Sequence, residues 1–114
     1  MWLCTKYGFY SIVQKKPGEY HIRARVKGDL ENLKAISEIK RSIIITEDAD
    51  YRYRLVVNEI EVITAMTVLA HTLDYPNFKS EIAKAEDQRD KLSAYHKIWE
   101  LMMGFQKKFG KTQP

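Results

Sequence analysis

From residue 19 to residue 27 the chain alternates without a break. Tyr20, Ile22, Ala24 and Val26 fall on one side; His21, Arg23, Arg25 and Lys27 fall on the other. A period of two is the signature of a β-strand with one buried and one wet face. A slip of one residue would turn every basic side chain into the core, so the pattern fixes the register as well as the element. Lys16-Pro17-Gly18 precedes the segment and reads as a turn, because Pro presets φ and Gly tolerates positive φ. Residues 2–15, rich in aromatic and β-branched types, supply the strand before it. Gly8 within that stretch marks a bulge or a close backbone approach.

The rest of the chain follows from similar signals. Gly28-Asp29 punctuates the chain, with Asp29 expected to cap a helix carrying Leu30, Leu33 and Ile36. Ile43-Ile44-Ile45 is a third strand. Residues 51–57 form a fourth, with Tyr51, Tyr53, Leu55 and Val57 on one face and Arg52, Arg54 and Val56 on the other. Asn58 followed by Glu61 resembles an Asx capping box, opening a helix with Ile60, Ile63, Met66 or Thr67, and Ala70 as its stripe. Tyr75-Pro76-Asn77 ends it. A short helix carries Phe78, Ile82 and Ala85; after a charged segment, a last helix carries Leu92, Tyr95, Trp99, Met102 and Gln106 on one stripe. The order ββα-ββα predicts an α+β protein: a four-stranded antiparallel sheet with helices on one face and a C-terminal helical extension. By fold analogy this is a permuted ferredoxin-like sandwich.

Composition bounds the function. At 114 residues, 45% hydrophobic and 30% charged, the chain reads as one globular domain, 1–114, rather than a disordered or fibrous one. The single cysteine, Cys4, forms no internal bridge, and no Cys/His spacing suits a metal. This points to a reducing, cytoplasmic setting without a cofactor. The N-terminal residues lack the pattern of a signal peptide, and the longest mostly apolar run, 62–70, is too short for a membrane span. The net charge is +4, and all of the excess lies in the first half. Residues 1–58 hold 11 Lys and Arg against 7 Asp and Glu, whereas residues 59–114 hold 8 of each.

The excess collects on the wet sheet face. There His21, Arg23, Arg25, Arg52 and Arg54 would offer guanidinium groups on rigid strands, suited to gripping phosphates. Tyr51, Tyr53, Tyr7, Phe9 or Tyr10 would supply stacking surfaces at strand ends or edges, a combination suited to single-stranded nucleic acid. The plainer reading is a solvated face whose arginines pair with Glu19, Glu47, Asp48 or Asp50. Asp48 and Asp50 lack the ligand spacing of a calcium loop and read as a turn. In Asp74-Tyr75-Pro76-Asn77-Phe78-Lys79-Ser80, Asp74 or Asn77 caps the next helix, and Lys79 could add to an anion site. His71 and His96 stand on helices, and no Ser or Cys is placed as an activated nucleophile. The least remote enzyme is therefore a phosphodiesterase using His21 with Arg23 and Arg25. Lys107, Lys108 and Lys111 mark a basic helix end, while Trp99, Met102 and Met103 read as core.

Several motifs together resemble a widespread family of small uncharacterised bacterial proteins, also met on mobile elements. They are Trp2-Leu3-x-Thr5-x-x-Gly8-Phe9-Tyr10-Ser11, Arg23-Ala24-Arg25, Asp50-Tyr51-Arg52-Tyr53-Arg54, Asp74-Tyr75-x-Asn77-Phe78-Lys79-Ser80 and Tyr95-His96-x-Ile98-Trp99-x-x-Met102. The resemblance spans nearly the whole chain. It implies an intact single domain and carries no catalytic residues. The connection at residues 15–18 is shorter here than in many such sequences. Two functions are expected from the residues. One is a non-enzymatic module binding nucleic acid or a nucleotide on the basic face. The other is a protein-interaction factor, an inhibitor or accessory protein of a mobile element, acting through an aromatic sheet edge. That edge would also serve self-association. No membrane partner is expected.

Overall fold

The alternation at residues 19–27 folds as its period dictates as far as Ala24; Val26, expected on the buried face, is exposed and precedes a helix that starts at Lys27. In the computed structural model, which describes residues 1–110, Glu19–Ala24 forms strand β3 with Ile22 and Ala24 fully buried. It follows β2 (Gly8–Lys16) through a two-residue turn in which Gly18 sits at φ 81°, the conformation a Pro-Gly turn of type II requires. Residues 2–15 form two strands rather than one. β1 (Trp2–Thr5) turns back onto β2 at Lys6 and Tyr7, so the sheet has five strands, not the four expected. The Thr5 hydroxyl makes this turn. Its Oγ1 accepts hydrogen bonds from the backbone N–H groups of Tyr7 and Gly8, both at 3.1 Å, and donates to the Gly8 carbonyl at 2.8 Å.

After β3 come helix α1 (Lys27–Ser37), the two-residue β4 (Ile44–Ile45), β5 (Tyr53–Val57) and helix α2 (Glu59–His71). The sheet is antiparallel throughout, in the order β1-β2-β3-β5-β4. That order replaces the permuted ferredoxin-like arrangement expected from the element count. Helices α1 and α2 cover one face. Tyr10, Ile12, Ile22, Ala24, Leu55 and Val57 pack there against Leu30 and Leu33 of α1 and Ala65 and Leu69 of α2. The capping box at Asn58 forms as expected. Glu61 N–H donates to the Asn58 side chain at 2.9 Å, and the Glu61 carboxylate accepts from Asn58 N–H at 3.0 Å.

Two helix expectations are corrected. Asp29 is not the cap of α1: the cap position is Val26, and Asp29 lies in the first turn with its side chain aimed at the sheet. It is buried, accepts from Phe9 N–H at 3.1 Å, and stands so close to Gly8 that a Cβ there would overlap it. The close approach inferred at Gly8 is therefore real. On α2 the stripe packed on the core is Ala65 and Leu69, buried, with Val62 and Met66 partly buried, while Ile60 and Ile63 are 75% and 55% exposed. This helix is apolar on nearly every side, so periodicity alone does not select which side faces the sheet.

The chain divides into two units, Met1–Tyr75 and the helical part from Pro76 onward. In the second, Asn77 caps α3 (Phe78–Lys84) by accepting from Ser80 N–H at 2.9 Å. A single 3₁₀ turn (Arg89–Lys91) leads into α4 (Leu92–Phe109). Phe78 packs on Tyr95 with ring centroids 5.0 Å apart. Trp99 and Met102, read from the sequence as core, are exposed. Helix α4 ends at Phe109, and Lys111 of the expected basic helix end lies outside the described residues. No helix among the described residues is long and apolar enough to cross a membrane.

Candidate anion-binding face of the sheet

The face turned away from α1 and α2 is set by register. Trp2, Ser11, Arg23, Arg54 and Ile44 are successive cross-strand partners, so they form one row across all five strands. Val13, His21 and Val56 form a parallel row on one side of it, and Cys4 pairs with Phe9 on the other. With strands about 4.8 Å apart, Trp2 and Arg54 stand roughly 14 Å from each other.

Arg23 and Arg54, directly opposite, form the centre. Arg23 Nη2 donates to Ser11 Oγ at 2.8 Å. Arg54 Nη1 donates to His21 Nδ1 at 3.1 Å. A guanidinium has no lone pair to offer, so Nδ1 is the acceptor and His21 carries its proton on Nε2, which faces Glu19 Oε2 at 3.3 Å. Both ring nitrogens are thus engaged. Through this contact His21 holds Arg54 in place. Among the described residues no carboxylate lies within ion-pair distance of Arg23, Arg25 or Arg54. The Nε atoms of Arg23 and Arg54 are both buried without a protein acceptor.

The remaining residues singled out from the sequence divide. Arg25, one residue past β3, joins the group by way of Tyr51. The guanidinium groups of Arg23 and Arg25 lie 4.6 and 4.4 Å from the Tyr51 ring centroid, and Arg25 Nη1 donates to the Asp50 carbonyl at 3.2 Å. Tyr51 is only 4% exposed and does not share the face of Tyr53, Leu55 and Val57. Residues 51 and 52 precede β5, so strand alternation does not govern them. Tyr51 therefore braces the arginines and is no platform for a ligand. Tyr53, paired with Ala24, packs against the core on the helix side. Arg52 is exposed and approaches Glu47, with Nε 3.5 Å from Oε2, apart from the Arg23–Arg54 row. Lys79 belongs to the second unit, where its Nζ lies 3.1 Å from His96 Nδ1 and 4.8 Å from the Trp99 ring centroid.

Trp2 was not among the residues singled out for this face. It is 72% exposed at the β1 end of the central row, and its ring centroid lies 6.2 Å from that of Phe9. Its signal was the pairing of Trp2 with Ser11, which appears only once the turn at Thr5 is known. Cys4, opposite Phe9, has its thiol pKa raised by burial and is correspondingly less reactive. No group of three or more His, Cys, Asp or Glu among the described residues could hold a metal ion. No family model, curated protein or solved structure matches this chain.

Proposed function

We propose that the sheet face of the first unit turned away from α1 and α2 binds single-stranded nucleic acid, with Arg23 and Arg54 on phosphate and Trp2 and Phe9 stacking on bases. The observation that carries this reading is the facing pair Arg23–Arg54, with buried Nε groups and no acidic neighbour. An unsatisfied buried donor costs about 1–3 kcal/mol, more when charged. Two guanidinium groups side by side also repel, and an anion bound at their exposed nitrogens relieves that repulsion. Tyr51 and His21 fix the arginines in advance, which reduces the ordering cost on binding.

The test is fluorescence anisotropy with short single-stranded DNA and RNA over a salt series, on the wild type and on Arg23→Ala with Arg54→Ala. Removing two phosphate contacts should flatten the slope of log K against log salt by about 1.4. Trp2→Ala should weaken binding without changing that slope, since stacking releases no counterions. Absence of wild-type binding at about 50 mM salt, where phosphate contacts are strong, overturns the reading.

A second reading rests on β1 as an edge strand with Trp2 exposed. A protein partner adding a strand there would bind through backbone hydrogen bonds and an aromatic anchor. Its affinity would respond little to salt.

A further inference from the structure

The last helix carries an apolar stripe of regular spacing. Tyr95, Ile98, Met102, Phe105 and Phe109 follow one another at steps of three and four, the seam of a coiled coil. Tyr95 is buried against Phe78, but beyond it Ile98, Met102, Phe105 and Phe109, with Trp99 and Leu101 beside them, are each 43–71% exposed. A fully exposed large apolar residue offers on the order of 200 Å², so these six present roughly 600 Å². That is at the upper limit of what soluble monomers leave uncovered, about 300–600 Å². Two such surfaces face to face reach about 1,200 Å², the lower bound of a specific interface.

We propose that α4 pairs with α4 of a second copy of this chain, antiparallel, through Ile98, Met102, Phe105 and Phe109. Spacing and area both select a like helix as the occupant, and charge selects the direction. Lys108 flanks the seam in the last turn of α4, so a parallel pair would set the lysine-bearing, negative C-terminal dipole ends of both copies side by side. In an antiparallel pair, Met102 of each copy meets Phe105 of the other, and Ile98 meets Phe109. The two helix dipoles then oppose each other favourably.

Sedimentation velocity on the full chain tests this from about 1 to about 100 µM, the range over which small specific interfaces dissociate. The wild type should shift from monomer to dimer across that range. Met102→Glu with Phe105→Glu should stay monomeric, with an unchanged far-UV circular dichroism spectrum, since both positions are exposed in one copy. If those changes unfold α4, Met102→Gln with Phe105→Gln serves instead. A wild type that stays monomeric throughout, or a variant that dimerises equally well, overturns the proposal. So does a monomeric wild type that pellets with vesicles of phosphatidylcholine and phosphatidylserine, which would make the stripe a lipid-facing one.

Discussion

Replacing Gly8 with alanine is the sharpest test of how the first unit is assembled. A Cβ at Gly8 would overlap Asp29 Cβ and lie 2.5 Å from Asp29 Cγ. Carbon atoms in contact prefer 3.5–4.0 Å, so about 1 Å of space has to be found. Asp29 cannot turn aside. Its carboxylate accepts from Phe9 N–H, its carbonyl accepts from Tyr10 O–H at 2.7 Å, and Leu30 beside it is fully buried. Relief requires moving α1 off β2 or breaking the Phe9–Asp29 hydrogen bond. Overpacking of this kind costs about 1–3 kcal/mol, and a lost hydrogen bond to a charged group about 1.5–3 kcal/mol. The gain from stiffening the unfolded chain, about 0.4–1 kcal/mol, offsets only part of this. The expected net loss is about 1–2 kcal/mol, or a fall in melting temperature of roughly 4–16 °C for a unit of this size. Thermal melts followed by circular dichroism measure it. Gly28→Ala is the control: nothing lies within 4 Å of its Cβ and it stands in the first turn of α1, so it should be neutral or slightly stabilising. If Gly8→Ala melts within about 2 °C of the wild type, the packing argument is wrong.

Other expectations follow from the same structure. On α2, Leu69→Ala should cost about 2–5 kcal/mol in urea unfolding and Ile63→Ala far less, reversing the order that the sequence periodicity suggests. Asn58→Ala removes the capping box and should cost about 0.5–2 kcal/mol by the same assay. The Glu61 carboxyl pKa is lowered chiefly by its hydrogen bond from Arg41, whose Nη2 lies 2.8 Å from Oε1. A lowered folded-state pKa means that this contribution is present above the ordinary carboxylate range and lost as pH falls through the folded value. The melting difference between wild type and Arg41→Ala should therefore be largest near neutral pH and shrink below about pH 4. A difference independent of pH would show that Arg41 acts through packing alone.

How far the fold could be read in advance depended on whether a residue's environment follows from its neighbours in the chain. The β3 alternation was decisive because one face is buried and the other is not. The Asn58 cap was legible because both partners lie within four residues. The first turn was hidden because residues 2–15 favour strand throughout and the signal is one threonine hydroxyl, with no Pro or Asn to mark it. The phase of α2 was hidden for the opposite reason: too many of its residues are apolar, and Ile60 and Ile63 look as suited to a core as Val62 and Leu69. Asp29 misled because its residue type fits a cap, while its place in the first turn lets it bridge to β2 instead.

The candidate site shows the same division at closer range. Arg23 and Arg54 were placed on one face by counting along each strand, but that they stand opposite each other depends on β3 pairing with β5, which counting cannot supply. Strand alternation does not reach Tyr51, which precedes β5, and Lys79, expected beside an anion site at its own helix start, belongs to the second unit. Trp2 is the instructive case. In sequence it is one aromatic among several near the start of the chain. In the sheet it ends the single row that also contains both central arginines. Charge and stacking surface therefore meet on one face through strand order, not through any local motif. A variant that preserved every motif but shifted β1 against β2 by one residue would turn Trp2 to the helix side and leave the arginines where they are. Such a variant should keep most of the salt dependence of binding and lose the contribution of stacking. That is why Trp2→Ala and the double arginine variant must be measured separately, over the same salt series, for the proposed face to be tested as a unit.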